Sequence, residues 1–122
     1  MIKVDVVKQA NYPVSSPKIK KRLREFLGKK GIVSDAQVEV AIVGVGEMRK
    51  IDRKIHNVLS FTPDEAKKKF VYPPGGVIHL GEIIICFPKV VEEAKQEEKL
   101  IEEKVYELIE HGAEHLLGIH HS

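Results

Sequence analysis

A single cysteine among 122 residues excludes an internal disulfide, and Cys86, set within Ile83-Ile84-Ile85-Cys86-Phe87, reads as a small buried hydrophobe. That run is the longest apolar stretch, a strand's length, and far short of the ~20 residues needed to span a membrane. The first residues, Met1-Ile2-Lys3-Val4-Asp5, alternate like a strand instead of leading into an apolar signal core. The expected setting is therefore a reducing cytoplasm with no membrane partner. Charge of either sign is nearly balanced: 20 Lys and Arg against 18 Asp and Glu leave +2, too little by itself to mark a nucleic-acid binder. Internal repeats are also missing.

What is present fits one ordinary globular domain over residues 1–122, with 43% hydrophobic and 31% charged residues. The basic residues are unevenly spread. Lys18, Lys20, Lys21, Arg22, Arg24, Lys29 and Lys30 crowd one segment and Lys67, Lys68 and Lys69 another, while Glu92 to Glu110 supplies the densest run of acid, eight of the 18 acidic residues. Such runs are ordinarily solvated faces, so they permit a polyanionic substrate without requiring one.

Residues 2–7 read as a strand. Ser16-Pro17 reads as an N-cap with proline at the first helical position, and Ile19, Leu23, Phe26 and Leu27 form the apolar stripe of a helix ending near Gly31. Residues 37–43 alternate as a second strand, Gly44 to Gly46 make a turn, and Met48, Ile51 and Ile55 mark a short helix. Val58-Leu59-Ser60-Phe61 is a short strand, Thr62 to Gly76 a surface loop, and residues 77–87 an apolar strand central to the sheet. Pro88 opens a helix with Val90, Val91 and Ala94, and a last helix runs from about Glu97 to Leu117. This order predicts an α+β domain, one mixed sheet of about four strands with helices packed on it.

The end of the chain, HGAEHLLGIHHS, carries the chemistry. His111 and His115 are one helical turn apart, so their imidazoles share a helix face. Gly118 permits the bend that brings His121 back toward the same point. Three nitrogen ligands with a fourth position left to water is how catalytic zinc is usually held. A purification tag would be a contiguous run, whereas only His120 and His121 adjoin. The two helical histidines continue the stripe of Leu100, Ile101, Val105, Leu108 and Ile109, which predicts that they face the core and need a partner there. Either His120 or His121 could coordinate. His56 and His79 read as polar loop or strand-end residues.

The spacing matches the metzincin form HExxHxxGxxH, except that Gly112 replaces the glutamate that activates water, which removes the basis for a peptidase. Glu114 occupies another angle on the helix and could at most hydrogen-bond a ligand ring. HGxxHLxGxxH instead closely resembles HGxLHLxGYDH, the signature of the YbeY family of bacterial zinc-dependent endoribonucleases and ribosomal RNA maturation factors. His111, Gly112, His115, Leu116, Leu117, Gly118 and His121 match; Glu114, Ile119 and His120 replace the usual Leu, Tyr and Asp. Val58-Leu59-Ser60-Phe61 resembles the end of the family's TDVLSF, with His56 and Asn57 for Thr and Asp, and Leu80-Gly81-Glu82-Ile83 resembles its LGDI. The likeness covers roughly residues 35–122.

The resemblance implies a zincin-like metal-site helix at the C-terminus, with Zn2+ on His111, His115 and His121, water in the open position, and single-stranded RNA as substrate. It implies further a precursor of ribosomal RNA as target, and the ribosomal subunit or its proteins as partners. The ion would polarise a phosphoryl oxygen and bring its water toward a pKa of about 7. Family members also carry a Tyr-Arg pair ahead of VLSF, whose arginine handles phosphate. One alignment deletes that segment here; another keeps an arginine, making Arg49 and Arg53 the candidate catalytic residues. The alternative is a ribosome-associated or rRNA-binding protein in which the metal is structural and catalysis is lost.

Overall fold

The computed structural model describes residues 1–65 and 77–118. Eight elements follow in order: β1 (Ile2–Lys8), α1 (Ser16–Lys29), β2 (Ala36–Val43), α2 (Val45–Ile51), β3 (Val58–Phe61), β4 (Ile78–Cys86), α3 (Phe87–Gln96) and α4 (Ile101–Leu116). The strands make one mixed sheet in the order β1-β2-β4-β3. β1, β2 and β4 run parallel, and β3 joins the edge antiparallel to β4. The expected α+β sheet of four strands is there, with β4 inside it.

The boundaries depart from the sequence reading in instructive ways. Ser15, one residue earlier than expected, is the cap of α1: its hydroxyl accepts from the backbone N–H of Lys18 at 3.2 Å, which leaves Pro17 within the first turn. Gly44 is not the start of a turn but the N-cap of α2, which ends before Ile55. α4 begins at Ile101, because Glu98 takes a positive φ of 55° and breaks the chain between α3 and α4.

Alternation along the strands sorts the core into two. Val38, Val40 and Ile42 of β2 and Ile83 and Ile85 of β4 meet Ile19, Leu23 and Leu27 of α1, Val90 of α3, and Val105, Leu108, Ile109 and Ala113 of α4. Val43, Ile84 and Cys86 point to the opposite face, where Met48 of α2 covers them. Cys86 is buried there as a small hydrophobe. Leu80 belongs to the first cluster although it shares even numbering with Ile84 and Cys86 of the second. A register shift between Gln37 and Val38 of β2 explains this: these residues oppose His79 and Gly81, so Leu80 is the extra residue of a β-bulge. Gly81 carries it with φ +136°, and a Cβ there would lie 2.1 Å from the carbonyl oxygen of Phe61. No side chain fits.

Beside the sheet, Lys104 is buried at 6% exposure and gathers carboxylates from both final helices. Its Nζ lies 2.8 Å from Glu97, 3.7 Å from Glu107 and 3.8 Å from Glu93. Glu93 also accepts from the side-chain amide of Asn57 at 2.8 Å, which ties the entry of β3 to α3. Hydrogen bonding to Lys104 holds the Glu97 carboxyl below the ordinary glutamate range. Burial pushes the Lys104 ammonium down, but the Glu97 hydrogen bond and the charges of Glu107, Glu97 and Glu93 more than reverse this and leave it raised.

Gly81→Ala should lower the urea-denaturation free energy by about 2–4 kcal/mol, because it forces both an unfavourable backbone conformation and a clash with backbone. Lys104→Met, which keeps the apolar stem, should cost about 1–2 kcal/mol, less than a fully buried pair, since its partners stay partly solvated. A depressed glutamate stabilises above its ordinary value of about 4.3 and ceases to do so as pH falls through the lowered one; a raised lysine stabilises below about 10.4 and ceases as pH rises through the raised one. The Lys104→Met deficit should therefore be level from about pH 5 to 10 and shrink in acid, as urea titrations at each pH would show.

Candidate functional site

α4 lies across β3 and β4, and its inward stripe steps through Val105, Leu108, Ile109, Gly112 and Ala113. At Gly112 the helix comes close to the sheet: a Cβ there would stand 3.0 Å from Cγ2 of Ile83 and 3.5 Å from Cβ of Ser60. The second position of the histidine motif thus points into the sheet. A glutamate at this point would be driven against a fully buried isoleucine, not toward the histidines. The glycine reflects packing.

This register also corrects the expectation that the histidines continue the core stripe. Gly112 and Ala113 are the buried positions, while His111 is exposed and the His115 side chain is 39% exposed. At ~100° per residue His111 stands one step off the buried line, so it borders the core instead of entering it. Both histidines line one cavity of about 480 Å³, together with Asn57, Val58, Leu59 and Ser60 from β3 and its approach, and Glu107 and Leu108 from α4. The pair predicted from i, i+4 spacing therefore does share a concave site.

Gly118, with φ +79°, follows the end of α4, and its N–H donates to the His115 carbonyl at 3.0 Å. That left-handed conformation is the one for which a glycine after the helix was expected. His121, the third expected ligand, and its neighbour His120 lie outside the described residues, as do Lys67, Lys68 and Lys69 and most of the expected 62–76 loop. Among the described residues no three histidine, cysteine or carboxylate side chains come together as a metal-holding group. The donor chemistry nevertheless suits a divalent cation: two imidazoles on one helix face open onto a shared, partly polar cavity, with a carboxylate beside one of them.

That carboxylate is Glu65, which sequence reasoning passed over. Its Oε1 accepts from Nε2 of His115 at 3.0 Å and from the backbone N–H of Thr62 at 2.9 Å. The Thr62 N–H, then His115, hold its carboxyl below the ordinary glutamate range, so it is ionised and acts as acceptor. The one available signal was Thr62-Pro63-Asp64-Glu65, a T-x-x-E spacing in which threonine and glutamate bond reciprocally.

Arg49 and Arg53 are exposed, on the last turn of α2 and just beyond it, and neither lines the histidine cavity. His56 pairs with Asp52 at 3.0 Å on the surface, and His79 lies within β4. In the basic first helix, Arg22 is committed to structure: it stacks 4.4 Å from the Tyr106 ring centroid and approaches Glu110 at 3.9 Å.

Comparison with known proteins bears on both segments that line this cavity and on the strand between them. The family described as Endoribonuclease YbeY matches residues 6–122. A protein named Endoribonuclease YbeY from Acinetobacter baumannii strain ATCC 17978 is 30% identical over 109 residues, covering 84% of this chain and 68% of the relative. The protein of the same name from Dehalococcoides mccartyi is 30% identical over 121 residues, covering 88% and 70%, and that from Aromatoleum aromaticum is 32% identical over 93 residues, covering 71% and 54%. Since the match takes in the β3 strand, the β4 bulge and the histidine helix together, the chain belongs to the YbeY family.

Proposed function

We propose that this protein is a metal-dependent endoribonuclease that hydrolyses RNA phosphodiester bonds in single-stranded regions during ribosomal RNA maturation. The observation that carries the reading is the shared cavity of His111 and His115, open to solvent and walled by β3, in a chain of this family. Zn2+ is the proposed ion, with His121 from beyond the Gly118 bend as the third ligand. Bound there, it would supply Lewis acidity toward a phosphoryl oxygen and a water of lowered pKa, so the lack of a glutamate at position 112 does not disable hydrolysis.

The rest is the work of the chain's own residues. α4 presents both imidazoles from a rigid helix anchored at Gly112, and β3 forms the opposing wall against which a strand of RNA can lie. Single-stranded RNA suits such a site because its backbone and bases are accessible without opening a duplex. Arg49 and Arg53, outside the cavity, would act through the field they add for an approaching polyanion. The cytoplasm is the proposed compartment and the ribosomal subunit or its proteins the proposed partners, in keeping with a precursor of ribosomal RNA as substrate.

Purified without a histidine tag, the protein should carry about one zinc per chain by elemental analysis, and His111→Ala or His115→Ala should release it. Cleavage of a single-stranded RNA by the metal-loaded protein should fall at least 100-fold in either variant; full activity in both would refute the reading. Metal retention without any cleavage would favour the alternative, a structural metal in an rRNA-binding protein. Arg49→Ala and Arg53→Ala should raise KM a few-fold at low salt with kcat nearly unchanged, an effect that fades as salt screens the field.

A further inference from the structure

The β3 wall of the histidine cavity is a sheet edge as well as a sheet face. Val58 packs on the α4 side with Ser60, and Leu59 on the α2 side, yet all three line the cavity, so it runs along the edge of the strand. Register decides which backbone groups lie on that edge. In an antiparallel pair, residues alternate between exchanging hydrogen bonds with the neighbour and turning both backbone groups away from it. The Cys86 N–H donates to the Asn57 carbonyl at 3.0 Å, and Leu59 and Phe61 stand opposite Ile84 and Glu82, so the odd-numbered residues bond to β4. Val58, Ser60 and Thr62 therefore turn their N–H groups outward.

The outer two of these amides are taken by side chains. The Val58 N–H donates to Asn57 Oδ1 at 2.7 Å, and the Thr62 N–H to Glu65 Oε1 at 2.9 Å. Among the described residues nothing takes the N–H between them, at Ser60, or the Ser60 carbonyl beside it. We propose that the backbone N–H and C=O of Ser60 hydrogen-bond the Watson–Crick edge of an unpaired nucleobase, an inference that rests on the RNA reading above. A lone amide would suit a phosphate, but the adjacent carbonyl oxygen repels an anion and itself needs a donor. The ligand must therefore be neutral and offer donor and acceptor side by side. Every nucleobase does so on its pairing edge: uracil through N3–H and O4, guanine through N1–H and O6, adenine through N6–H and N1, cytosine through N4–H and N3. Duplex RNA hides that edge and single strands expose it. A main-chain contact of this kind selects strandedness and not sequence, and it places the nucleotide in the same cavity as both imidazoles.

The test is fluorescence anisotropy of short labelled oligomers titrated with the full-length protein in EDTA, so that no cleavage intervenes. Wild type should bind oligouridine and oligo-5-methyluridine alike, since both keep N3–H. Oligo-N3-methyluridine, whose donor is blocked, should bind about 5–10-fold more weakly. On the protein side, Ser60→Pro deletes the N–H, and an edge strand tolerates proline where that group faces outward. It should bind oligouridine about 5–10-fold more weakly than Ser60→Ala, which shares the loss of the hydroxyl but keeps the amide, and it should no longer respond to N3 methylation. Equal binding of oligouridine and oligo-N3-methyluridine by wild type would overturn the proposal, and this arm needs no variant to fold. Equal binding by Ser60→Pro and Ser60→Ala, both with the wild-type urea midpoint, would overturn it as well. A wild type that binds oligouridine but ignores N3 methylation excludes the Ser60 contact alone; one that binds no oligouridine takes the RNA reading with it.

Discussion

The closeness of α4 to the sheet at Gly112 is the constraint on which the site depends. A hydrogen in place of a methyl group lets the helix backbone settle against Ile83 and Ser60, and this fixes the rotation of α4 about its own axis. Rotation then decides everything nearby: Ala113 is buried, His111 and His115 come to the border of the core, and the cavity opens between them and β3. Leu116 follows from the same register, since its Cδ2 lies 2.8 Å from where a Cβ of Gly81 would be. The two glycines thus serve one interface, one thinning the helix and the other the bulged strand.

Electrostatics closes the same interface at its other end. Lys104 on α4, Glu93 and Glu97 at the end of α3, and Asn57 before β3 form one linked set. Its value is geometric more than energetic. Partly solvated ion pairs contribute little each, but this set joins α3, α4 and the approach to β3 at one edge of the core that also packs them, and Asn57 is itself a wall of the cavity.

Much of this was legible in the sequence where a local rule and the tertiary demand agree. Period-two alternation marked β1 and β2, an apolar run marked β4, the short Val58–Phe61 strand was read to the residue, and three- and four-residue spacing marked the apolar faces of the helices and the facing pair His111 and His115. What failed to show were features set by contacts distant in sequence. The bulge at Leu80 exists because β2 and β4 must both feed one core, and nothing local in Leu80-Gly81-Glu82 reports that pairing. Stripe arithmetic put the histidines inward because it treated polar and apolar positions at similar angles as equal, whereas the glycine beside them sets the buried line. Glu65 was invisible for the same reason: it is 50 residues from His115, and only the antiparallel return of β3 beside α4 brings them together. The arginines were reached through the family resemblance, and charge without a packing partner carries no information about position.

The strand order has a temporal corollary. Among the described residues β3 bonds to a single neighbour, β4, which comes after it in the chain, and the other wall of the cavity belongs to the helix that comes later still. During synthesis from the N-terminus, residues 58–61 do not meet their β4 partner until residues 78–86 emerge, and the imidazoles of α4 come later than both. A ribosome-bound fragment therefore holds β1, α1 and β2 with nothing that could touch a nucleic acid at this centre. The cavity is therefore completed in one late step, when α4 packs against β3.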